Sequence, residues 1–457
     1  MRQNIPGFEP ARSTGLIDGL VTREDVLRAR DRRRVLNSRS ARRHWHLLWL
    51  LLGPGVLVML GENDGPSMVS YATTGATYGV GFFVPFILLT FLMAFVVQEM
   101  TVRLGAATHR GHAELIFQRF GAFWGYFAMG DLVVGNLLTL MTEFITIQAG
   151  GLYFGIPAVV SVAIGVLVVA CSLGFRRYAT WERVAMGLAL FNLLFIPAAL
   201  MAHPDGAALM HALANWGPRP ERFDATFATL ILANIGATVT PWMIFFQQSA
   251  VVDKGLTRAD LSHGRFDTAL GGCLAAAAAI ATVVAAAPLH TAGADVSSFA
   301  SGADFATALA PHIGGTGAAL FALGMIEAGL VAAMTISSSS SYALAEAVAE
   351  RHSMNLDLAQ GRWFYAAAIV SALIAGLVVL APGAPLLAMT LTVNVLATLL
   401  MPPALLFLLL LVNDRELMGD LANRWPANLA GGGIVIAICL VGALYGVITV
   451  FPGLLHG

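Results

Sequence analysis

Apolar runs of about 20 residues or more recur along this chain from Trp45 almost to its last residues, and each is long enough to cross a hydrocarbon layer of about 30 Å. Of the 457 residues, 57% are hydrophobic and only 12% are charged, which excludes an ordinary soluble domain. Eleven spans are expected, near residues 46–77, 80–104, 120–149, 156–175, 180–202, 225–252, 267–289, 314–345, 363–381, 385–412 and 428–452. They should be helices, because a segment in lipid must satisfy its own backbone polar groups. The fold class is therefore an all-α integral membrane protein, with a polar tail over 1–44 and a membrane domain over 45–452.

The basic residues are unevenly spread. Eleven of the 26 lysines and arginines lie in the first 43 residues. Beside a membrane span such a run sets orientation more readily than it binds nucleic acid. With the tail in the cytosol, 24 basic residues fall inside and two, Arg219 and Arg222, outside. This predicts a multi-pass plasma-membrane protein with a cytoplasmic N-terminus and an extracytoplasmic C-terminus. The tail reads as mobile, with a surface helix near 22–36, and no cleavable signal peptide is visible. Cys171, Cys273 and Cys439 lack metal-ligand spacing and read as small core residues.

Two spans contain residues that interrupt a helix. The first breaks at Gly61-Glu62-Asn63-Asp64-Gly65-Pro66-Ser67 and the sixth at Gly236-Ala237-Thr238-Val239-Thr240-Pro241. Proline removes a donor and glycine accepts unusual dihedrals, so both helices are expected to unwind at mid-membrane. Breaks five spans apart are the mark of two inverted five-helix repeats with a site between them. Glu62 and Asp64 enter the first break, and uncompensated acids at that depth cost at least about 2.5 kcal/mol each. A cation is expected there. Oxygen ligands suit magnesium, calcium or manganese.

The run Gly53-Pro54-Gly55, then Asp64-Gly65-Pro66-Ser67, then Thr74-Gly75-Ala76, resembles the first helix of the NRAMP divalent-metal transporters, whose motif there is Asp-Pro-Gly-Asn. Gly236-Ala237-Thr238-Val239-Thr240-Pro241 resembles that family's sixth-helix Gly-Ala-Thr-Val-Met-Pro-His. Glu143-Phe144-Ile145, Phe154-Gly155-Ile156-Pro157, and Asn394 with Pro402 extend the likeness over residues 46–412. The resemblance implies a LeuT-like 5+5 inverted repeat with broken helices 1 and 6 and an eleventh helix. It also implies metal contacts from Asp64, Thr240, Asn394, Ser67 and the carbonyls near Glu62 and Ala237, with Gln248 as an outer contact.

The departures from the family pattern narrow the expectation. Thr240 stands where the family has a methionine thioether, Ser67 where it has asparagine, and Trp242 where it has a histidine. Leu140 replaces a third-helix aspartate, and the ninth-helix arginine pair has no counterpart between Trp363 and Ala381. A wider, sulfur-free site suits magnesium, which gives up its water reluctantly, and the chain looks like the NRAMP-related magnesium transporter (NRMT) branch. Loss of the titratable relay implies transport without proton coupling. The expectation is thus a divalent-metal transporter working by alternating access, not an enzyme. Its substrate would be partly hydrated magnesium, or alternatively manganese or iron with proton coupling. A monomer in the bilayer is expected, with no cofactor and no nucleic-acid partner. A sodium-coupled amino-acid carrier would not place two acids in the cavity, and an intramembrane hydrolase would want a paired His or metal-ligand motif. A non-transporting metal sensor is separated from all of these by flux into sealed vesicles. Glu327 is left without a role.

Overall fold

The computed structural model describes residues 16–17, 20–21, 23–218, 225–299, 301–348, 351–381 and 386–450. Arg219 and Arg222, expected on the outer side, lie outside the described residues, as does the end of the last expected span.

After a two-residue antiparallel pair, β1 (Leu16–Ile17) with β2 (Leu20–Val21), the chain is helical. Helix α1 (Arg23–Ser40) precedes the membrane domain. The first span is α2 (His44–Leu51), α3 (Pro54–Glu62) and α4 (Gly65–Tyr78). Next come α5 (Phe83–Thr108), a short connecting α6 (His112–Phe120), α7 (Ala122–Tyr153) and α8 (Ala158–Leu173). The fifth span is α9 (Tyr178–Ala189), a 3-10 turn (Leu190–Leu194) and α10 (Phe195–Met201), followed by the surface helix α11 (Gly206–Asn215). The sixth is α12 (Ala225–Gly236) with α13 (Pro241–Lys254). Then follow α14 (Leu261–Thr291), α15 (Gly302–Ala347), α16 (Arg362–Val379), α17 (Leu386–Asn413), the short α18 (Arg415–Met418) and α19 (Trp425–Val450).

Among the described residues, nine helical segments are long and apolar enough to span a membrane. The bent pair α2 and α3 makes up to ten, and the apolar α8, shorter than these, lies where the remaining expected span was placed. The helix α15 is longer than its expected span because it carries an extra N-terminal arm, set off at Gly314, whose φ of 72° no helix contains. Helices α6 and α11 were not expected, since each is too short and too mixed in polarity to register as a span.

Helix ends are tied by buried acids. Between α2 and α3 the chain turns by 50° at Gly53, whose φ of 155° and close approach to Glu182 and Lys254 leave no room for a side chain. The Asp267 carboxylate on α14 then accepts from the amides of Gly53 (2.9 Å), Gly55 (2.6 Å) and Val56 (3.2 Å), which satisfies the orphan donors at the start of α3. The most extensive helix pairing is α7 against α15, where the serine run of α15 provides the small residues that let two helices approach. Ser340 Oγ accepts from Asn136 Nδ2 at 2.9 Å across that seam, while Ser338 and Ser341 return their hydroxyls to their own helix.

One expectation needs correction: the three cysteines are exposed on the outer surface of the bundle rather than in its core, because small sulfur side chains are equally at home against lipid. The surface helix expected near 22–36 is present as α1, Arg23–Ser40, and it is docked on the membrane domain. Its Arg32 and Arg39 reach Asp260 at 2.8 and 2.5 Å, Arg28 reaches Asp253 at 2.9 Å, and Asp31 receives Arg177 at 2.9 Å. Arginines spaced along one helix found fixed acids at the ends of α13 and α14, a pairing that net charge does not reveal.

Candidate metal site

Both breaks form where the sequence places them. Helix α3 ends at Glu62, Asn63 and Asp64 leave the helical region, and Asp64 restarts the chain as the N-cap of α4, accepting from Ser67 N at 2.8 Å. Pro66 lies in the first turn, where its missing N–H is no loss. Helix α12 ends at Gly236 and α13 begins at Pro241, leaving 237–240 unwound. Two helix C-termini, whose carbonyls carry partial negative charge, therefore end at the same depth.

The breaks face each other through specific contacts. Thr240 Oγ1 donates to Glu62 Oε2 at 2.8 Å, and Tyr71 OH donates to the Ala237 carbonyl at 2.9 Å. Gly236 permits the close approach of α12 and α17, since a methyl group there would strike the carbonyl of Asn394. Asn394 donates to Ser70 Oγ at 2.9 Å, two turns into α4 counting from the break. From α7, Glu143 Oε2 accepts from Gly65 N at 3.0 Å and its carboxyl lies beside that of Asp64.

Glu62, Asp64 and Glu143 are thus three buried carboxyl groups in one neighbourhood, exposed by 1% or less. Glu62 Oε1, Glu143 Oε1 and the Ser67 hydroxyl have no hydrogen-bond partner. Among the described residues no group of three or more His, Cys, Asp or Glu is arranged to hold a metal ion by itself. Unsatisfied buried acceptors of this kind call for a cation, for water or for protons. The nearest methionine along α4 is turned away, as Met68 Sδ accepts from Thr282 Oγ1 at 3.2 Å on α14.

Of the residues expected to touch the metal, Glu62, Asp64, Ser67 and Thr240 gather at the breaks. The Ala237 carbonyl and Asn394 border them, each already holding one partner. Gln248 is elsewhere: it lies midway along α13, where its amide donates to the Arg110 carbonyl and its oxygen pairs with His112, both at 2.8 Å. Sequence reasoning did not find Tyr71, whose hydroxyl reaches the second break only because α4 and α12 pack together. Trp242 is buried with its indole beside Glu62, and Leu140 is buried among apolar neighbours.

A cavity of about 640 Å³ lies further along α4, lined by Thr73 and Thr77 of α4, Thr226 of α12, His290 of α14 and Leu391 of α17, and none of the break residues lines it. The opposite side is closed by polar layers. Ser249 and Glu346 meet at 2.8 Å, and Asp253 accepts from Tyr342 at 2.6 Å, Ser353 at 2.6 Å and Met354 N at 2.9 Å.

Fold and site together define a multi-pass membrane transporter of the broken-helix, LeuT-like class. The structure is similar to that of a manganese transporter from Eremococcus coleocola solved with an aromatic bis-isothiourea compound, with a TM-score of 0.72 at 19% identity over 88% of this chain and 87% of that one. It is similar, at a TM-score of 0.57 and 14% identity, to MhsT in complex with L-phenylalanine, covering 85% of this chain and 97% of that one. The chain belongs to the Nramp family: the family model described as natural resistance-associated macrophage protein-like matches residues 55–449. Among sequence relatives, the divalent metal cation transporter MntH of Xanthomonas campestris pv. campestris is 30% identical over 227 residues, 47% of this chain and 49% of that protein. The MntH of Aeromonas hydrophila is 26% identical over 401 residues, 85% of this chain and 93% of that protein.

Proposed function

We propose that this chain carries a divalent metal ion across the membrane, and that the ion is magnesium retaining part of its hydration shell. Family membership and the divalent-metal relatives support the substrate class. The observation that carries the finer reading is the second break itself: Thr240, a hydroxyl, occupies the position facing Glu62 and bonds it at 2.8 Å. Hydroxyl, carboxyl and carbonyl oxygens suit a hard ion, and Mg²⁺ is commonly bound through one or two carboxylates with several waters kept. The proposed contacts are Asp64, Glu62, Ser67, Thr240, Asn394 and the Ala237 carbonyl, some of them through water. Gln248 is left out because His112 and Arg110 already occupy its side chain.

Transport is proposed to run without proton coupling, in keeping with the NRMT-like departures at Leu140 and Trp242. A membrane potential of 100 mV supplies about 4.6 kcal/mol for a divalent ion, so no second driving ion is needed. The N-terminal helix and the basic loops are placed on the cytoplasmic side of the plasma membrane, the protein acting as a monomer. The test is magnesium influx into proteoliposomes with and without an imposed pH gradient. Influx that ignores the gradient and leaves the lumenal pH steady supports the reading; acidification accompanying influx overturns it. Thr240→Met should shift preference toward cadmium and manganese by restoring a soft ligand, and an unchanged preference would mean that Thr240 does not face the ion.

A further inference from the structure

One buried acid has no part in the site just described. Glu327 lies within α15, is 8% exposed, and neither of its carboxylate oxygens has a hydrogen-bond partner. Its polar neighbour is Asn192. That residue sits on the fifth span where the helix tightens into the 3-10 turn Leu190–Leu194, a device that often marks a functional hinge.

Asn192 connects Glu327 to the first break. Asn192 Nδ2 donates to the Asn63 carbonyl at 2.9 Å, and Asn63 Nδ2 donates to Asn192 Oδ1 at 3.1 Å and to the Ala275 carbonyl at 2.7 Å. Asn63 stands between Glu62 and Asp64. The cluster is short of donors: both N–H groups of Asn63 and one of Asn192 are used, while Asn63 Oδ1 and both Glu327 oxygens remain without partners. One added O–H would remove the charge and supply the missing donor together.

No other group answers that need. The titratable groups on elements packed against α15 include Glu143 and Asp131 on α7, Glu62 and Asp64 at the break, Glu182 on α9 and Asp267 on α14. The cations Lys254 and Arg362 sit at the last residue of α13 and the first of α16. Among the described residues none of these forms an ion pair or a hydrogen bond with Glu327, whose one polar neighbour is Asn192. An isolated charge in such a place is far more expensive than a neutral acid.

We infer that Glu327 is a proton-binding site separate from the metal site, holding a resident proton that keeps Asn192 and Asn63 in place and so shapes the first break for ion binding. This rests on the reading that the first break binds the ion. The proton is retained through the cycle and is not a driving ion. Its pH signature is opposite to that of the metal ligands: carboxylate ligands bind a cation better as pH rises, whereas loss of the Glu327 proton weakens transport as pH rises.

The experiment measures Mg²⁺ or Mn²⁺ influx by the full chain in proteoliposomes from about pH 6 to about pH 9.5, for wild type and for Glu327→Gln, the neutral isostere of the protonated acid. The expected result is a fall of more than about twofold for wild type toward the alkaline end, and less than about a twofold change for E327Q. Superimposable pH profiles overturn the proposal. So does acidification of the lumen during influx that E327Q abolishes, because the proton would then be a passenger. If E327Q does not fold, infrared difference spectra on Glu327→Asp and wild type decide: a protonated-carboxyl carbonyl band that shifts in E327D supports the site, and an unshifted spectrum overturns it. Absence of any metal influx by wild type would instead sink the transport reading, while the infrared band would still test the proton.

Discussion

Thr240→Val isolates the contact between the two breaks. The substitution keeps the shape of the side chain and removes the hydroxyl that donates to Glu62 Oε2 at 2.8 Å. Thr240 is the N-cap residue of α13 but makes no capping hydrogen bond with its side chain, so helix stability is not the quantity being changed. Glu62 is fully buried and its other oxygen lacks a close partner, so the valine variant removes its one short hydrogen bond and leaves only the neighbouring Trp242 indole as a protein donor. A hydrogen bond to a charged group contributes about 1.5–3 kcal/mol. At 1.4 kcal/mol per tenfold, that is about a 10- to 150-fold weakening of ion binding if Glu62 holds its ion-binding position through Thr240. The assay is Mg²⁺ titration calorimetry on purified protein, with influx measured in parallel and thermal unfolding as the control. Thr240→Ser should restore affinity. An affinity for T240V equal to wild type, with unaltered Tm, would refute the claim that the two breaks cooperate through this hydroxyl.

Asp64→Ala should abolish influx while the protein still purifies as a folded species, with a loss of about 1 kcal/mol from the missing N-cap of α4; persisting influx would move the site elsewhere. Gly236→Ala places a methyl group against the Asn394 carbonyl and the Thr398 hydroxyl, and overpacking of that kind costs about 1–3 kcal/mol, so a clear drop in Tm is expected, and no drop would contradict the close packing of α12 on α17. Asp260→Asn removes the carboxylate shared by Arg32 and Arg39, whose side chains are about one-third exposed; with solvent screening each pair contributes about 1 kcal/mol or less. Trypsin should then cut within α1 faster than in wild type, and equal rates would show that these pairs do not anchor the helix.

Much of the architecture was legible because lipid imposes a one-dimensional rule. A chain that must satisfy its backbone inside a slab of fixed thickness announces its spans by length and polarity, and nine to ten of the expected segments appear as helices of spanning length, with a shorter apolar helix, α8, where another was expected. The two breaks were equally legible. Proline at 66 and 241 with glycine at 61, 65 and 236 acts on the local backbone, and the helices part at Asn63–Asp64 and at 237–240. The Glu99–Arg103 pair, one helical turn apart on α5, closes at 3.0 Å.

What the chain order could not announce is which distant side chains meet. Gln248 falls in the right helix, but its position along α13 delivers it to His112 and Arg110 instead of the breaks. Glu143 accepts from Gly65, Tyr71 reaches Ala237, Asp267 caps α3, and α1 docks on Asp253 and Asp260 through contacts between residues scores of positions apart. Glu327 looked like one more unexplained acid until packing buried it and set Asn192 beside it. Hydropathy and helix-breaking residues act within one segment and can be read along it. Partner choice among buried polar groups depends on helix rotation and crossing, which many weak packing contacts settle together.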